Sequence, residues 1–127
     1  MAPARRYEVR TMQGLHLTSD LSGCPAGLPV MTQRALCLLA VADSGLRAVG
    51  ELFYRFPAPG GVTGVVLLAE SHVAGHTWPE LGVVTLDVYG CNLGAENISP
   101  AEALMAALVA AFNPATVQPQ RLQRGGE

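Results

Sequence analysis

The sequence predicts an α+β domain built as a two-layer sandwich, in which an antiparallel sheet carries two helices on one face. Segments rich in β-branched and aromatic residues, or with strand-like alternation, recur along the chain, and two other segments have a helical apolar face. Short turns containing glycine and proline separate several strands, which favours antiparallel pairing. The 127 residues suffice for a single domain with its own core.

The first half of the chain predicts a strand, a helix and a second strand. Residues 14–21, GLHLTSDL, alternate as in a strand, and a loop rich in glycine and proline follows. Residues 30–43 have a wide apolar face at helical spacing, and Gly45 suits the end of this helix. Bulky and aromatic residues then predict a strand over 46–56, and PAPGG at 57–61 predicts a turn.

Two strongly β-prone runs come next. They cover residues 62–73 and 81–91, and both are rich in valine and leucine. The segment that contains Gly75 and the letters HTWPE is expected to link them. These runs therefore predict the central strands of the sheet.

A second helix is predicted near the C-terminus. Ser99 suits its N-cap and Pro100 its first position, and the apolar pattern continues to Phe112 before a proline ends it. Residues 115–124 predict a short edge strand, because Pro119 cannot donate a backbone hydrogen bond. The last residues, GGE, are expected to fray.

The composition predicts a partner for the sheet face that carries no helix. Several strands are apolar on both sides, and charged residues make up only 14% of the chain, against roughly a quarter in typical soluble domains. A second copy packed sheet against sheet would cover this face. We therefore expect an αββα homodimer or a higher oligomer.

Charge and hydropathy argue against nucleic acid and membranes as partners. The formal net charge is −2, so nothing attracts an anionic polymer or lipid surface. No apolar run approaches the roughly 20 residues of a spanning helix. The first ten residues also lack the apolar stretch of a signal peptide, which predicts a cytoplasmic protein.

The residue types also exclude some cofactors. The three cysteines, Cys24, Cys37 and Cys91, have no metal-ligand spacing, so neither a zinc site nor a disulfide framework is expected. All eight basic residues are arginines. A chain without lysine cannot attach pyridoxal phosphate through a Schiff base.

Residues 67–80, LLAESHVAGHTWPE, contain an unusual concentration of polar and ionisable side chains for this apolar chain, together with the single tryptophan. One interpretation makes Ser71 an ordinary turn serine and the two histidines polar residues at strand ends. A zinc pair formed by His72 and His76 would need a helix, which the neighbouring glycine and proline disfavour. A serine hydrolase is a weak interpretation too, because no Gly-x-Ser-x-Gly elbow is present.

The stretch GVTGVVLLAESHVAGHTWPELGVVTLDVYGC, residues 61–91, closely resembles the core of bacterial S-adenosylmethionine decarboxylase proenzymes. Glu-Ser-His followed three residues later by His-Thr-Trp-Pro-Glu is specific to that family. The segment GLHLTSDLSGC, residues 14–24, resembles it more weakly. The resemblance implies a pyruvoyl-dependent enzyme that decarboxylates S-adenosylmethionine for the synthesis of spermidine and other polyamines.

The resemblance further implies that the chain cuts itself between Glu70 and Ser71. The products would be a β chain of residues 1–70 and an α chain of residues 71–127 whose first residue is a pyruvoyl group made from Ser71. The substrate's own amine would form a Schiff base with this ketone. A pyruvoyl group would therefore supply the electron sink that pyridoxal phosphate supplies elsewhere.

Individual roles follow from the matching positions. The Ser71 hydroxyl would attack the Glu70 carbonyl carbon, and Thr63 would hydrogen-bond the reacting group. His76 would accept the Ser71 α-proton during processing. Cys91 would stabilise the processing intermediate and later donate a proton to the decarboxylated carbon. Two other cysteines are expected to be small core residues.

The residues expected to bind the substrate match the family less closely than the residues expected to act in processing. Phe56 corresponds to the aromatic residue that stacks on adenine and Glu80 to the acid that binds the ribose hydroxyls, whereas Trp78 is expected to serve packing. Tyr54 stands where the family has histidine, and one extra residue follows Phe56. Ser22 replaces an aromatic residue of the family.

These departures leave two alternatives open. The first is a decarboxylase of the same family that acts on L-ornithine or L-arginine, for whose cationic side chain Asp20 or Glu51 could supply a carboxylate. Both acids could equally be exposed strand residues. The second alternative is an unprocessed dimeric homologue without activity, which the retained processing residues disfavour.

Overall fold

The computed structural model describes residues 13–25, 30–58, 60–92 and 96–125. Its elements in chain order are β1 Gln13–Ser22, α1 Val30–Ser44, β2 Ala48–Arg55, β3 Val62–Leu68, β4 His72–Trp78, β5 Val83–Cys91, α2 Ile98–Phe112 and β6 Thr116–Gly125. The first ten residues, on which the expectation about a signal peptide rests, lie outside this part of the chain. So do residues 26–29 of the predicted loop and the final Gly-Glu.

All six strands form one antiparallel sheet in the order β2-β3-β4-β5-β1-β6. Both helices pack against one face of it, so the predicted α+β architecture is confirmed. Pairing of two copies, the division into two fragments and a cytoplasmic location stay predictions. Neither helix in the described ranges is long and apolar enough to cross a membrane.

The core lies between the helices and the sheet. Alternate residues of each central strand point toward the helices, as the period of two in a strand requires. Buried members of this set are Leu15, Leu17, Leu21, Val62, Val66, Leu68, Val84, Leu86 and Val88 on the sheet, and Val41, Leu104 and Leu108 on the helices.

The intervening residues form the other side of the sheet, which we call the open face. Strand register places them in rows across the sheet. One row contains Tyr54, Thr63, His76, Thr85 and Asp20, and another contains Leu67, His72, Tyr89 and His16. Histidines, two tyrosines and an acid therefore share a surface with exposed leucines such as Leu52 and Leu67, which are 70% and 51% exposed.

The structure corrects the predicted boundaries in residues 62–81. The run 62–73 is not one strand: β3 ends at Leu68, the chain turns through Ala69 and Glu70, and a hydrogen bond from Leu68 N to Ser71 O closes the turn (2.9 Å). The predicted link is mostly strand β4. Ala-Glu contains none of the residues that usually mark a two-residue hairpin, so the turn leaves no sequence signal.

Helix ends were predicted with mixed success. Gly45 follows α1 with φ of 89°, as expected of a glycine that ends a helix. The second helix begins at Ile98 rather than after Ser99, and Asn97 is its N-cap residue. The Glu96 carboxylate accepts hydrogen bonds from the backbone N–H groups of Ile98 and Ser99, both 3.1 Å long. This acid substitutes for the predicted serine cap.

The C-terminal strand is at the edge of the sheet, as Pro119 predicted, and its bounds, Thr116–Gly125, are displaced by one residue from the predicted 115–124. β6 pairs with β1 over ten residues, and Pro119 lies opposite Ser19. The tail therefore covers one side of β1.

Candidate active site

Ser71 lies where the β3–β4 turn ends. Its hydroxyl oxygen is buried and has no hydrogen-bond partner, a condition that it shares among the described residues only with Nε2 of His16. A buried hydroxyl without a partner costs about 1–3 kcal/mol, so such groups are rare unless they have a function. The Ser71 hydroxyl thus has no hydrogen bond to the protein that would compete with a reaction.

Cys91, at the end of β5, lies close to this turn. His72 pairs with Tyr89, so Ser71 is at the level of the last residues of β5. The side-chain amide of Asn97 donates hydrogen bonds to the Cys91 carbonyl oxygen at 2.8 Å and to Oε1 of Glu70 at 3.4 Å. We call this group of Glu70, Ser71, Cys91 and Asn97 the cleavage corner.

Tyr89 supports Cys91 from the neighbouring position on the open face. The two side chains are hydrogen-bonded, and burial, together with the Cys91 side chain, raises the pKa of Tyr89. Its ring lies over Gly14, which is opposite Cys91 in the β1–β5 register. A Cβ atom on Gly14 would be 2.5 Å from the tyrosine oxygen, so any larger residue would require the Tyr89 ring to move.

Two histidines adjoin Tyr89 on the same row. The His72 ring stacks on Tyr89 with 5.8 Å between centroids, and His16 meets both rings edge-on. Burial lowers the pKa of His72, with a further contribution from His16. The described residues contain no group of three or more histidine, cysteine or acidic side chains able to hold a metal ion.

The other two cysteines pack in or against the core. Cys37 is buried, and this burial, with a smaller effect of Glu51, raises its pKa to about 11. Cys24 is half-buried and contacts the core from the end of β1. The expectation that both are small core residues is confirmed.

A second polar group lies at the other end of β4. Thr63 and His76 are directly opposite each other on β3 and β4, and 3.1 Å separates Thr63 Oγ1 from His76 Nδ1. Both residues border an opening of about 380 Å³, whose wall includes Phe56, Trp78 and Glu80. We call this opening the substrate cavity.

The structure thus brings the predicted residues together as two groups rather than one. Ser71 and Cys91 are at one end of β4, and Thr63 and His76 are at the other. His76 is five residue positions after Ser71 along an extended chain, which at about 3.3 Å per position is about 16 Å. His76 cannot reach the α-carbon of Ser71 in the same chain.

Glu51 and Asp20, the two candidate carboxylates for a cationic substrate, differ in whether a basic side chain already pairs with them. Both carboxylate oxygens of Glu51 accept hydrogen bonds from Arg34 of α1, at 2.5 and 2.6 Å. Glu51 is therefore already neutralised. Asp20 is exposed at the end of the row that contains His76. Ser22, which replaces the family's aromatic residue, is hydrogen-bonded to Thr116 of the edge strand.

Sequence reasoning missed Asn97, Tyr89 and Gly14. Asn97 lies outside the stretches that resemble the family, and neither Tyr89 nor Gly14 is a residue type that indicates chemistry; only the strand register and the start of α2 bring the three to the cleavage corner. The pairing of Gly14 with Cys91, which are far apart in the chain, could not be read from local patterns.

Comparisons with known proteins agree on one family. The family model described as S-adenosylmethionine decarboxylase matches residues 15–125. An S-adenosylmethionine decarboxylase proenzyme of Aquifex aeolicus is 40% identical over 114 residues, which are 88% of this chain and 81% of that protein. The proenzyme of Thermoplasma acidophilum is 36% identical over 114 residues, 88% of this chain and 83% of that protein.

A solved structure gives the same result for the fold. The crystal structure of the adenosylmethionine decarboxylase from Aquifex aeolicus superposes with a TM-score of 0.81 at 38% identity. The match covers 90% of this chain and 92% of the other. The likeness therefore extends over the whole sheet and both helices.

Proposed function

This chain belongs to the S-adenosylmethionine decarboxylase family, and we propose that it cuts itself before Ser71 and then decarboxylates S-adenosylmethionine. The product would serve polyamine synthesis. One observation carries the proposal: the buried hydroxyl of Ser71 has no hydrogen-bond partner, in a turn that Asn97 links to the Cys91 end of β5 and where the backbone would be cut.

The cleavage begins with the Ser71 oxygen. It bonds to the carbonyl carbon of Glu70 while the peptide C–N bond breaks, which gives an ester and a free amine on residue 71. A base then takes the α-proton, and the ester C–O bond breaks, so that Glu70 leaves as the carboxylate terminus of residues 1–70. Addition of water and loss of ammonia leave a keto group on residue 71.

The keto group would take the place of a separate cofactor. When formed, it supplies a carbonyl for the substrate's amine and an electron sink for the bond to carbon dioxide. The residues present fit this group, because the chain contains no lysine for pyridoxal phosphate and Ser71 has a free hydroxyl. Cys91 Sγ would supply the proton to the carbon that has lost its carboxyl group.

The base for the α-proton would come from a second copy of the chain. Within one chain His76 is about 16 Å from Ser71. A two-fold axis that crosses the strands near Ala74, with the open faces packed together, exchanges the ends of β4. Thr63 and His76 of one copy would then face Ser71 and Cys91 of the other. The exposed leucines of the open face supply apolar area for this contact.

The substrate cavity would hold the nucleoside part of the substrate. Phe56 offers an exposed ring for stacking on adenine, and the Glu80 carboxylate can accept hydrogen bonds from ribose hydroxyls. A volume of about 380 Å³ suits a ligand of this size. Because the cavity adjoins His76, its ligand would extend toward the partner copy's Ser71.

Ornithine and arginine have weaker support. Their cationic side chains need an unpaired carboxylate, but Arg34 already neutralises Glu51, and Asp20 is not in the wall of the substrate cavity. A ribose-binding acid such as Glu80 would also have no purpose with either amino acid. We therefore assign S-adenosylmethionine.

Mass spectrometry followed by a substrate panel tests this function. The purified protein should separate under denaturing conditions into residues 1–70 and a 71–127 fragment whose N-terminus is blocked by a ketone. It should then release carbon dioxide from S-adenosylmethionine and not from ornithine or arginine. An intact chain after long incubation would contradict self-processing, and release from an amino acid alone would contradict the substrate.

A further inference from the structure

Asn97 connects three elements at the cleavage corner. We propose that it is a positioning residue for self-cleavage, whose side-chain amide holds the Glu70–Ser71 turn against the end of β5. The inference rests on the proposed cleavage between Glu70 and Ser71. It assigns to the start of α2 a part in the reaction that no sequence pattern indicates.

The contacts of Asn97 fix its orientation. Nδ2 donates to the carbonyl oxygen of Cys91 at 2.8 Å and to the Glu70 carboxylate at 3.4 Å. The Asn97 backbone N–H donates to Oδ1 of Asn92 at 3.0 Å. A Cβ on Gly90 would be 2.9 Å from the Asn97 carbonyl oxygen, so a glycine permits this close approach.

The side chain of Asn97 does not perform the usual task of its position. An asparagine at an N-cap normally accepts a hydrogen bond from the first turn of the helix. Asn97 makes no such bond, because the Glu96 carboxylate already accepts from Ile98 and Ser99. The amide is therefore directed at the turn and at Cys91, and helix stability does not explain its contacts.

Holding the turn matters because the attack on Glu70 depends on geometry. A displacement of about 1 Å can lower the rate of a positioned reaction about 10²-fold. The β3–β4 turn has two residues, neither of them glycine or proline, and Asn97 links its acidic side chain to the strand that ends in Cys91. After cleavage Glu70 is a chain terminus, and this link is no longer needed. Asn97 should thus affect processing more than decarboxylation.

The isosteric change Asn97→Asp separates these effects. It removes both side-chain N–H donors and sets a second carboxylate against Glu70, yet aspartate remains a good N-cap residue. We expect self-cleavage to slow about 10–100-fold, as measured by denaturing mass spectrometry over time. Material that does become processed should retain a kcat for carbon dioxide release within about threefold of the unsubstituted enzyme.

A second substitution tests whether the effect acts through Glu70. In the Asn97→Asp protein, Glu70→Gln replaces the repelled carboxylate with an amide that can donate to the introduced aspartate, so cleavage should become faster again. Glu96→Gln is the matched control, because it removes one charge at the same helix start from a side chain whose hydrogen bonds are to Ile98 and Ser99. It should cleave at the unsubstituted rate.

The outcomes of these experiments distinguish the role of Asn97 from the proposed self-processing. Equal cleavage rates for the Asn97→Asp and unsubstituted proteins would overturn the role of Asn97 and leave self-processing intact. A defect that Glu70→Gln does not relieve, or one that lowers kcat of the processed enzyme equally, would also overturn it. Absence of cleavage in the unsubstituted protein would instead overturn the proposed function, and the role of Asn97 with it.

Discussion

The two ends of strand β4 differ in how their polar groups are satisfied. At the cleavage corner, the Ser71 hydroxyl is buried and has no partner, and Cys91 is only 7% exposed. At the substrate cavity, Thr63 and His76 are hydrogen-bonded to each other and border an opening of about 380 Å³. One end is closed, and the other is open to solvent.

This difference indicates which part of the chemistry each end can perform. In the proposed function, the closed end would hold the nucleophile and the bond to be cut, but its nearest imidazole, His72, is stacked on Tyr89. The open end has a threonine–histidine pair and would supply the binding surface, but it has no bond to cut. Two copies with exchanged ends would make two complete sites, so assembly and chemistry would depend on each other.

The largest effect is expected from Ser71→Ala, which removes the attacking oxygen at the closed end. The chain should stay whole under denaturing conditions and release no carbon dioxide, because neither ester nor ketone can form. Ser99→Ala, at an exposed serine of α2, is the control and should be cut normally. A Ser71→Ala protein that is still cut at the same bond would show that another group attacks.

Substitution of one histidine at each end of β4 tests directly which end supplies the base. His72 is adjacent to Ser71 in the chain, whereas His76 is about 16 Å away. We nevertheless expect His76→Gln to slow cleavage by about 10²–10⁴-fold, the usual range for a lost general base. His72→Gln should slow it less than about tenfold. The reverse order in a cleavage time course would place the base within the same chain.

Substitutions in the substrate cavity should affect binding and leave cleavage unchanged. Loss of a stacking ring costs about 1–3 kcal/mol, so Phe56→Ala should raise KM for S-adenosylmethionine about 5–150-fold. Glu80→Gln weakens the hydrogen bonds to ribose and should also raise KM. Steady-state kinetics and mass spectrometry of the same samples separate the two effects. A cleavage defect in either variant would contradict the division between the two ends.

The smallest effect is expected at Gly14. An added methyl group in Gly14→Ala would displace the Tyr89 ring, which lies 2.5 Å from that position, at a cost of about 1–3 kcal/mol. Thermal unfolding should therefore begin at a lower temperature, and Cys91 should lose its tyrosine neighbour. Combining the change with Tyr89→Phe removes the closest atom and should recover part of the lost stability. No recovery would mean that the backbone, not the ring, limits this site.

Much of the fold was predictable because it follows from periodicity. The alternation of β1 and the apolar face of α1 are local patterns, and both helices and the edge strand lie where these patterns indicate. The turn at Ala69 and Glu70 was not predictable, since β-branched residues occur on both sides of it and neither turn residue is glycine or proline. Tertiary pairing alone divides that run into β3 and β4.

Only those residues of the candidate site that belong to a recognisable sequence motif could be predicted. Ser71, His76 and Glu80 belong to one short segment that resembles a family, so their identities could be assigned from the sequence. Their separation into two groups depends on β4 being extended, which the sequence-based prediction missed. Asn97 is at the cleavage corner only because α2 begins beside β5.

Coexpression of two inactive variants tests the shared site most directly. A His76→Gln chain has an intact Ser71, and a Ser71→Ala chain, distinguished by a tag, has an intact His76. Each variant alone should remain whole. When they are coexpressed in equal amounts, about half of the His76→Gln chains should pair with a Ser71→Ala chain and be cut between residues 70 and 71. If the unsubstituted protein is cut but no His76→Gln chain is cut in the mixture, the site is not shared between copies.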